Sequence, residues 1–539
     1  MAEQRKQSFV QGAAVLAAAV LIVKIIGAIY KIPLGNILGD EGMAHFGVAY
    51  NIYTLLLTVS TAGLPVALSR LISEADALGR VNQVKRIFNV GRMAFLVFGL
   101  VWTLFMMLGF RPLSVWMDDP EAAISILVLG PAVFLVCLMS AYRGYTQGLS
   151  DMTPTSVSQV IEVLCKLVFG LALAWLFVRQ GLGLPIASAG AILGVTIGSL
   201  LALVYIVVYK RRHERYTGVA ATDVPDSRGR ILKRLLRIGI PVTIGSAVLN
   251  IIALIDTKLI LNRLQFGAGF SFMDSKLMYG AFFKVQTLFN MPSAFVVPLS
   301  VSVIPAVSAY IAHKNYKSAS TVTAAAIKIC VLMGLPMAAG MSVLAHPIVA
   351  VLYPGTHPEG PASLAILGVA SFFVCLTMMT NSILQAYGHE LVPVVTMPIG
   401  GVVKIILNWV LISDPAIGVR GAGWSSIVCY LLICAINIAF ICMRVPERPR
   451  MLRIFVKPVI AVLIMSAAAW LSFRGLSALL GMVGMDVMGR LGQLIALAGA
   501  IVVAVIVYFL AILLLKAISR EELELVPKGD KLAKLLKIR

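Results

Sequence analysis

The chain has 539 residues, 60% of them hydrophobic and only 13% charged, with a mean hydropathy of +0.94. That balance lies outside the soluble globular range and leaves no room for a large water-soluble domain. The net charge of +21 would suit nucleic acid, but the basic residues flank apolar runs, which points to a membrane surface and against a nucleic-acid partner.

The first apolar run, Phe9–Leu34, follows Arg5 and Lys6 and is long enough to cross a bilayer. It is too long for a signal peptide and lacks a small-residue cleavage site, so it reads as a retained first helix. Lys24 stands near its middle, and Lys31 shares its helical face. An ammonium at bilayer depth costs on the order of 2.5–3.5 kcal/mol on insertion scales. Lys24 is therefore expected to face something wet or anionic.

Runs of about 20 apolar residues give fourteen spans, centred near residues 22, 60, 99, 135, 167, 198, 250, 295, 333, 375, 402, 432, 466 and 503. Lys and Arg collect on one side, which the insertion rule assigns to the cytoplasm together with both termini. The richest basic segment, 210–237, also holds the most polar stretch of the chain and reads as a linker between halves. Its end, Arg228–Gly239, sets Ile231, Leu232, Leu235 and Leu236 among basic residues at helical spacing, as a helix lying on anionic headgroups would.

Two stretches repeat. Gln147–Lys166 resembles Gln385–Lys404: each opens on Gln, carries a Pro (Pro154, Pro393) a little before its middle and ends on a Lys inside a span. An even number of spans per copy relates the halves by an axis along the membrane normal. The expected fold is an all-α polytopic membrane protein with two pseudo-symmetric six-helix lobes plus two C-terminal helices. The boundaries are 1–209 for the first lobe, 210–237 for the linker, 238–443 for the second lobe, 444–515 for spans 13 and 14, and 516–539 for a basic tail.

Polar residues inside spans mark candidate sites. Glu162 and Lys166 stand at i, i+4, the favourable order for a helix ion pair. Span 7 carries Asn250, Asp256, Lys258 and Asn262, span 8 Lys284 and Asn290, span 10 Asn381 and Gln385, and span 11 Lys404 and Asn408. Structural readings stand beside functional ones. Lys31 and Lys258 can snorkel to the outer interface, Glu162 and Lys166 can satisfy each other, and Asp256 can neutralise Lys404. Lys24 and Lys284, far from polar flanks, are expected to line a cavity. Lys24, Lys31, Lys166, Lys284, Asn290 and Glu162 form the candidate substrate-binding set, and Asp256, Lys404 and Asn408 a second-lobe polar or ion-coupling cluster. Excess ammonium groups suit an anion such as phosphate.

No catalytic set accompanies them. The seven cysteines sit singly in apolar segments, and the six histidines, placed at expected helix ends or loops, show no metal-ligand spacing. There is no G-x-x-x-x-G-K-[ST] loop for ATP. Asp118-Asp119 beside Pro120 reads as the start of a helix and not as an acidic glycosyltransferase cluster. A transporter without cofactor is expected.

The stretches VKIIGAIYKIPLGNILGDEG (Val23–Gly42) and AYNIYTLLLTVSTAGLPVALSRLISE (Ala49–Glu74) resemble the flippases of the MOP exporter superfamily, in the branch of stage V sporulation protein B and MurJ-type lipid II flippases. The resemblance implies a central cationic cavity, a groove for a polyprenyl tail in spans 13 and 14, and outward movement of an undecaprenyl-diphosphate-linked sugar at a bacterial plasma membrane. The implied partners are this lipid-linked oligosaccharide, membrane lipids and cell-wall synthases. Lys24 takes the place of a substrate-contacting Arg in span 1, and Lys284 approximates a cationic position in span 8. A family Arg in span 2 has no counterpart, since Leu57-Thr58-Val59 stand there. Sodium binding in some relatives would fall on Asp256 and Asn408, with Lys404 opposing it, so coupling to sodium or to the membrane potential is open at this point. A teichoic or capsular precursor, a cation-coupled multidrug exporter and a non-transporting cell-wall scaffold are the alternatives.

Overall fold

Inside a bilayer the backbone has no partner but itself, so apolar runs of this length must become helices. A computed structural model describes residues 9–213, 222–444, 451–483, 486 and 489–516. Arg5, Lys6 and the basic tail beyond Lys516 lie outside the described residues, as does 214–221 of the linker. The described residues are helical almost throughout and contain no strand.

The first helices are α1 (Phe9–Thr61), α2 (Leu64–Ala77), α3 (Val81–Trp116), α4 (Ala123–Gly148), α5 (Thr153–Arg179), α6 (Leu184–Arg212), α7 (Arg228–Asn262) and α8 (Phe272–Phe289). The remainder are α9 (Met291–Ala312), α10 (Tyr316–Val343), α11 (Ala345–Leu352), α12 (Glu359–Ala386), α13 (Leu391–Leu411), α14 (Arg420–Arg444), α15 (Met451–Met482) and α16 (Arg490–Leu514). Among the described residues, thirteen continuous stretches are long and apolar enough to span a membrane. One of them, Ala18–Ala77, has 60 residues and as a straight helix would run about 90 Å, three times a bilayer core. It is broken at Gly39, whose φ of 66° and ψ of −167° leave the helical region. Counting it as two gives the fourteen spans read from the sequence.

The helices pack as two compact units, Met1–Phe283 and Lys284–Arg539. The boundary between these compact units falls inside α8. The physical reason is that α7 is held within the first unit. Asn51 Nδ2 donates to Thr257 Oγ1 at 2.7 Å, Asn250 Nδ2 donates to Thr58 Oγ1 at 2.9 Å, and the Lys258 ammonium pairs with Asp118. Arg228–Gly239 is likewise not a separate surface helix. It is the first part of α7, with Ile231 and Leu235 buried in a core that includes Leu68, Ile72 and Phe88. Arg234 meets Glu74 of α2 at 2.9 Å.

The described part of the linker forms a strap on the start of α3. Asp223 accepts the backbone N–H groups of Asn82 and Gln83, each at 2.9 Å. Gln83 and Asp226 bond reciprocally at 2.7 and 3.0 Å. A carboxylate here meets the orphan donors and positive end of a helix N-terminus.

In the second unit, one core joins α9, α10, α12 and α14 through Val307, Ile327, Met379 and Ile441. Another sets α15 and α16 against α10 and α11, where the Tyr508 hydroxyl donates to the Leu332 carbonyl at 2.7 Å. Asn437 of α14 donates to Thr380 and Asn381 of α12 at 3.1 and 2.8 Å and accepts from Thr396 of α13 at 3.2 Å. A buried amide is tolerated at this depth because those partners satisfy it.

Candidate functional site

The first unit contains a cavity of 590 Å³ between α1, α2, α4, α5 and α6. Lys24, Tyr50, Arg143, Glu162 and Lys166 all line it. Lys24 is exposed there, and among the described residues no carboxylate lies within ion-pairing distance of it.

The turn between α4 and α5 sets the geometry of the wall. Asp151 Oδ1 accepts the Thr153 N–H at 3.2 Å, and Pro154 follows in the first turn of α5, where its missing N–H costs nothing. Gln147 Nε2 reaches Thr155 Oγ1 at 3.3 Å, and the Tyr209 hydroxyl of α6 donates to Asp151 at 2.8 Å. Further along, α5 and α6 touch backbone to backbone. A Cβ on Gly194 would lie 2.4 Å from Gly170 Cα, and one on Gly198 would lie 2.5 Å from the Glu162 carbonyl. Glycine is required at both places for this approach, which fixes Glu162 and Lys166 on the cavity side.

Glu162 is ion-paired with Arg143 at 3.1 Å, with the two side chains 18% and 12% exposed. Arg143 Nε also donates to Ser158 Oγ at 3.0 Å. The expected pair within one helix, Glu162 with Lys166, is thus replaced by one between helices. A guanidinium offers a planar fork to the carboxylate, and Lys166 is drawn elsewhere. Its ammonium donates to the Tyr50 hydroxyl at 3.2 Å and lies 4.5 and 4.9 Å from the ring centres of Tyr50 and Tyr30. Lys31 lies 4.9 Å from the Phe283 ring centre and 5.6 Å from that of Tyr50. It packs against aromatic rings where snorkelling to an interface was the alternative. Lys258 is paired with Asp118 in the connection from α3 to α4.

Three cations, Lys24, Arg143 and Lys166, therefore face one carboxylate, Glu162, in this cavity. Such a lining can hold an anion. Arg143 escaped the sequence reading, although an Arg within an apolar span four residues before Gln147 is itself the kind of signal that marked Lys24.

The sequence of residues 9–311 matches the family model described as polysaccharide biosynthesis protein. The chain belongs to the polysaccharide biosynthesis protein family. A second model, MatE, matches residues 280–410, and the chain is a member of the MOP superfamily of transporters. It is 27% identical to the uncharacterized membrane protein YabM of Bacillus subtilis (strain 168), over 98% of this chain and 97% of that one. It is 26% identical to the lipid II flippase MurJ of the same organism, over 78% of this chain and 81% of that one. A solved structure of lipid II flippase MurJ in an inward closed conformation has the same fold, with a TM-score of 0.68 at 16% identity, covering 93% of this chain and 99% of the other.

In this member of the family the remaining expected site residues are divided between the two units. Lys284 belongs to the second unit, is 3% exposed and sits 5.6 Å from the Tyr353 ring centre, while the Tyr353 hydroxyl donates to its carbonyl at 3.4 Å. Asn290 is exposed at the junction of α8 and α9, and its Nδ2 donates to the Gln286 carbonyl at 2.8 Å. Asp256, 4% exposed, lies in the first unit, whereas Lys404 and Asn408 lie in the second. Asn408 is fully buried and accepts a hydrogen bond from Ser425. His45, expected at a helix end, lies inside α1 and is fully buried.

Proposed function

We propose that this protein moves an undecaprenyl-diphosphate-linked sugar precursor, with lipid II first among the candidates, from the inner to the outer leaflet of a bacterial plasma membrane by alternating access. The observation that carries the reading is the cavity in which Lys24, Lys166 and Arg143 outnumber Glu162. Ammonium and guanidinium groups of this kind cover a diphosphate at a depth where bare phosphate would not enter. A cation-coupled drug exporter would call for the opposite balance. Both termini are assigned to the cytoplasm, so that the basic segment 210–237 meets anionic lipid. Spans 13 and 14 offer a surface for the polyprenyl tail.

The membrane potential biases the cycle in this reading. Each unit charge exchanges about 2.3 kcal/mol per 100 mV, and an anionic headgroup leaving a negative interior moves downhill. No sodium step is invoked, because Lys404 would repel the ion beside Asn408.

The test is a depletion strain complemented with Lys24→Ala or Lys166→Ala, with the lipid-linked precursor measured on each leaflet. The reading expects one undecaprenyl-diphosphate precursor to accumulate on the inner leaflet, and its sugar would identify the substrate as lipid II or as a teichoic or capsular unit. Full complementation by both variants, as a non-transporting scaffold would give, overturns it.

A further inference from the structure

Just past the break at Gly39, Glu41 and His45 stand one turn apart on α1. The connection from α3 to α4 brings Asp119 and Glu121, in a short 3-10 turn at Pro120–Ala122, against them. His45 and Asp119 are both fully buried. His45 Nδ1 lies 2.7 Å from Asp119 Oδ2 and 3.0 Å from Oδ1, so Nδ1–H donates to the carboxylate. In the neutral imidazole that bond sets the tautomer and leaves the lone pair on Nε2. Nε2 is buried and has no hydrogen-bond partner. It points at Glu121, but at 3.6 Å from Oε2 it is beyond hydrogen-bonding range.

One ligand atom from each of Glu41, His45 and Glu121 can be found within 4.8 Å of the other two. Two ligands at 2.0–2.2 Å from a tetrahedral ion are about 3.4 Å apart, which is close to the observed separation of Nε2 and Oε2. Charge points the same way. Among the described residues, the ammonium seen to oppose the carboxylates of Glu41, Asp119 and Glu121 is that of Lys276, which is 2% exposed and holds Glu121 Oε2 from α8. A divalent cation would balance the excess.

We infer that Glu41, His45 and Glu121 form a binding site for a divalent transition-metal ion of the zinc class, with Asp119 orienting the histidine from behind. One imidazole and two carboxylates favour zinc over calcium or magnesium, which take oxygen ligands alone. The site ties the break in α1 to the turn between α3 and α4. It stands at the far end of α3 from the Asp223 strap and depends on no choice of transported substrate.

The test uses the full-length protein in detergent, with its affinity tag removed, stripped with chelator, desalted and titrated calorimetrically with zinc chloride and separately with manganese chloride. The expected result is one saturable zinc ion per chain, a higher unfolding temperature with zinc, and at least tenfold weaker binding in Glu41→Gln. Glu41 is only half-buried, so this variant is expected to fold even if His45→Asn does not. Absence of saturable zinc binding, equal binding in Glu41→Gln, or saturable binding of manganese without zinc would overturn the assignment.

Discussion

Lys166 donates a hydrogen bond to the Tyr50 hydroxyl at 3.2 Å while its ammonium stands 4.5 Å from the centre of the same ring. The charge is thus held by an uncharged partner. Under the proposed function, an anion entering the cavity would replace the tyrosine hydroxyl without first breaking an ion pair. Helical spacing leaves Lys166 either paired with Glu162 and neutralised or free to line a cavity. The structure spends that carboxylate on Arg143.

Replacing Lys166 with Gln removes both the charge and the cation–π contact, each worth about 1 kcal/mol or more when desolvated. Transport by reconstituted vesicles is expected to fall at least tenfold. Tyr50→Phe keeps the ring and loses only the hydroxyl, so it should lose no more than a few-fold. If the two variants transport equally well, the ammonium has no part in holding substrate.

The Arg143–Glu162 pair is expected to behave as a partly buried ion pair. Removing one partner strands the other, at about 3–5 kcal/mol where burial is complete and somewhat less at the 12% and 18% exposure found here. Glu162→Leu and Arg143→Met should each lower the unfolding temperature in detergent. The double variant should recover part of the loss, because no unpaired charge remains. Additive losses in the cycle would mean that the two groups do not interact energetically.

What the sequence made legible was what depends on composition and period. Lys24 stood out because an ammonium in an apolar run has no inconspicuous place to go, and the spans followed from run length. The repeat around Gln147 and Gln385 was visible because both copies cover the same local structure, the end of one helix and the start of the next. Partners across helices were not legible. The sequence offers Lys258 a route to the outer interface but does not show that Asp118, distant in the chain, stands beside it. Run length places His45 at a helix end or in a loop, whereas α1 continues past the break at Gly39 and carries it inside. Helical spacing offers Glu162 its i+4 neighbour Lys166 but says nothing about a guanidinium arriving from α4.

Close backbone approach gives a prediction that needs no substrate. A Cβ on Gly280 of α8 would fall 1.8 Å from the Asp40 carbonyl of α1, whereas one on Gly27 would meet nothing within 4 Å. Gly280→Ala must push α8 off α1 and should cost about 1–3 kcal/mol or more. Gly27→Ala only restricts the unfolded chain and favours helix, so it should be neutral or stabilising by up to about 1 kcal/mol. Unfolding temperatures of the two purified variants, measured side by side, decide it. Equal values would mean that α1 and α8 are not in contact at that point.

The strap on α3 has a pH signature. Desolvation pushes the Asp223 carboxyl up, but the backbone N–H groups of Asn82 and Gln83, helped by the nearby Arg80, prevail and hold it below the ordinary carboxylate range. With the folded pKa below the unfolded one, the group contributes stability that is fully present above the unfolded value of about 3.9 and is lost as the pH falls through the folded value. Asp223→Asn removes the charge at every pH. The difference in unfolding temperature between the native chain and this variant should therefore hold constant from pH 8 to 5 and narrow below about pH 4. A difference that persists undiminished to pH 3 would show that the strap is held by uncharged hydrogen bonds, with the ionised carboxylate contributing nothing.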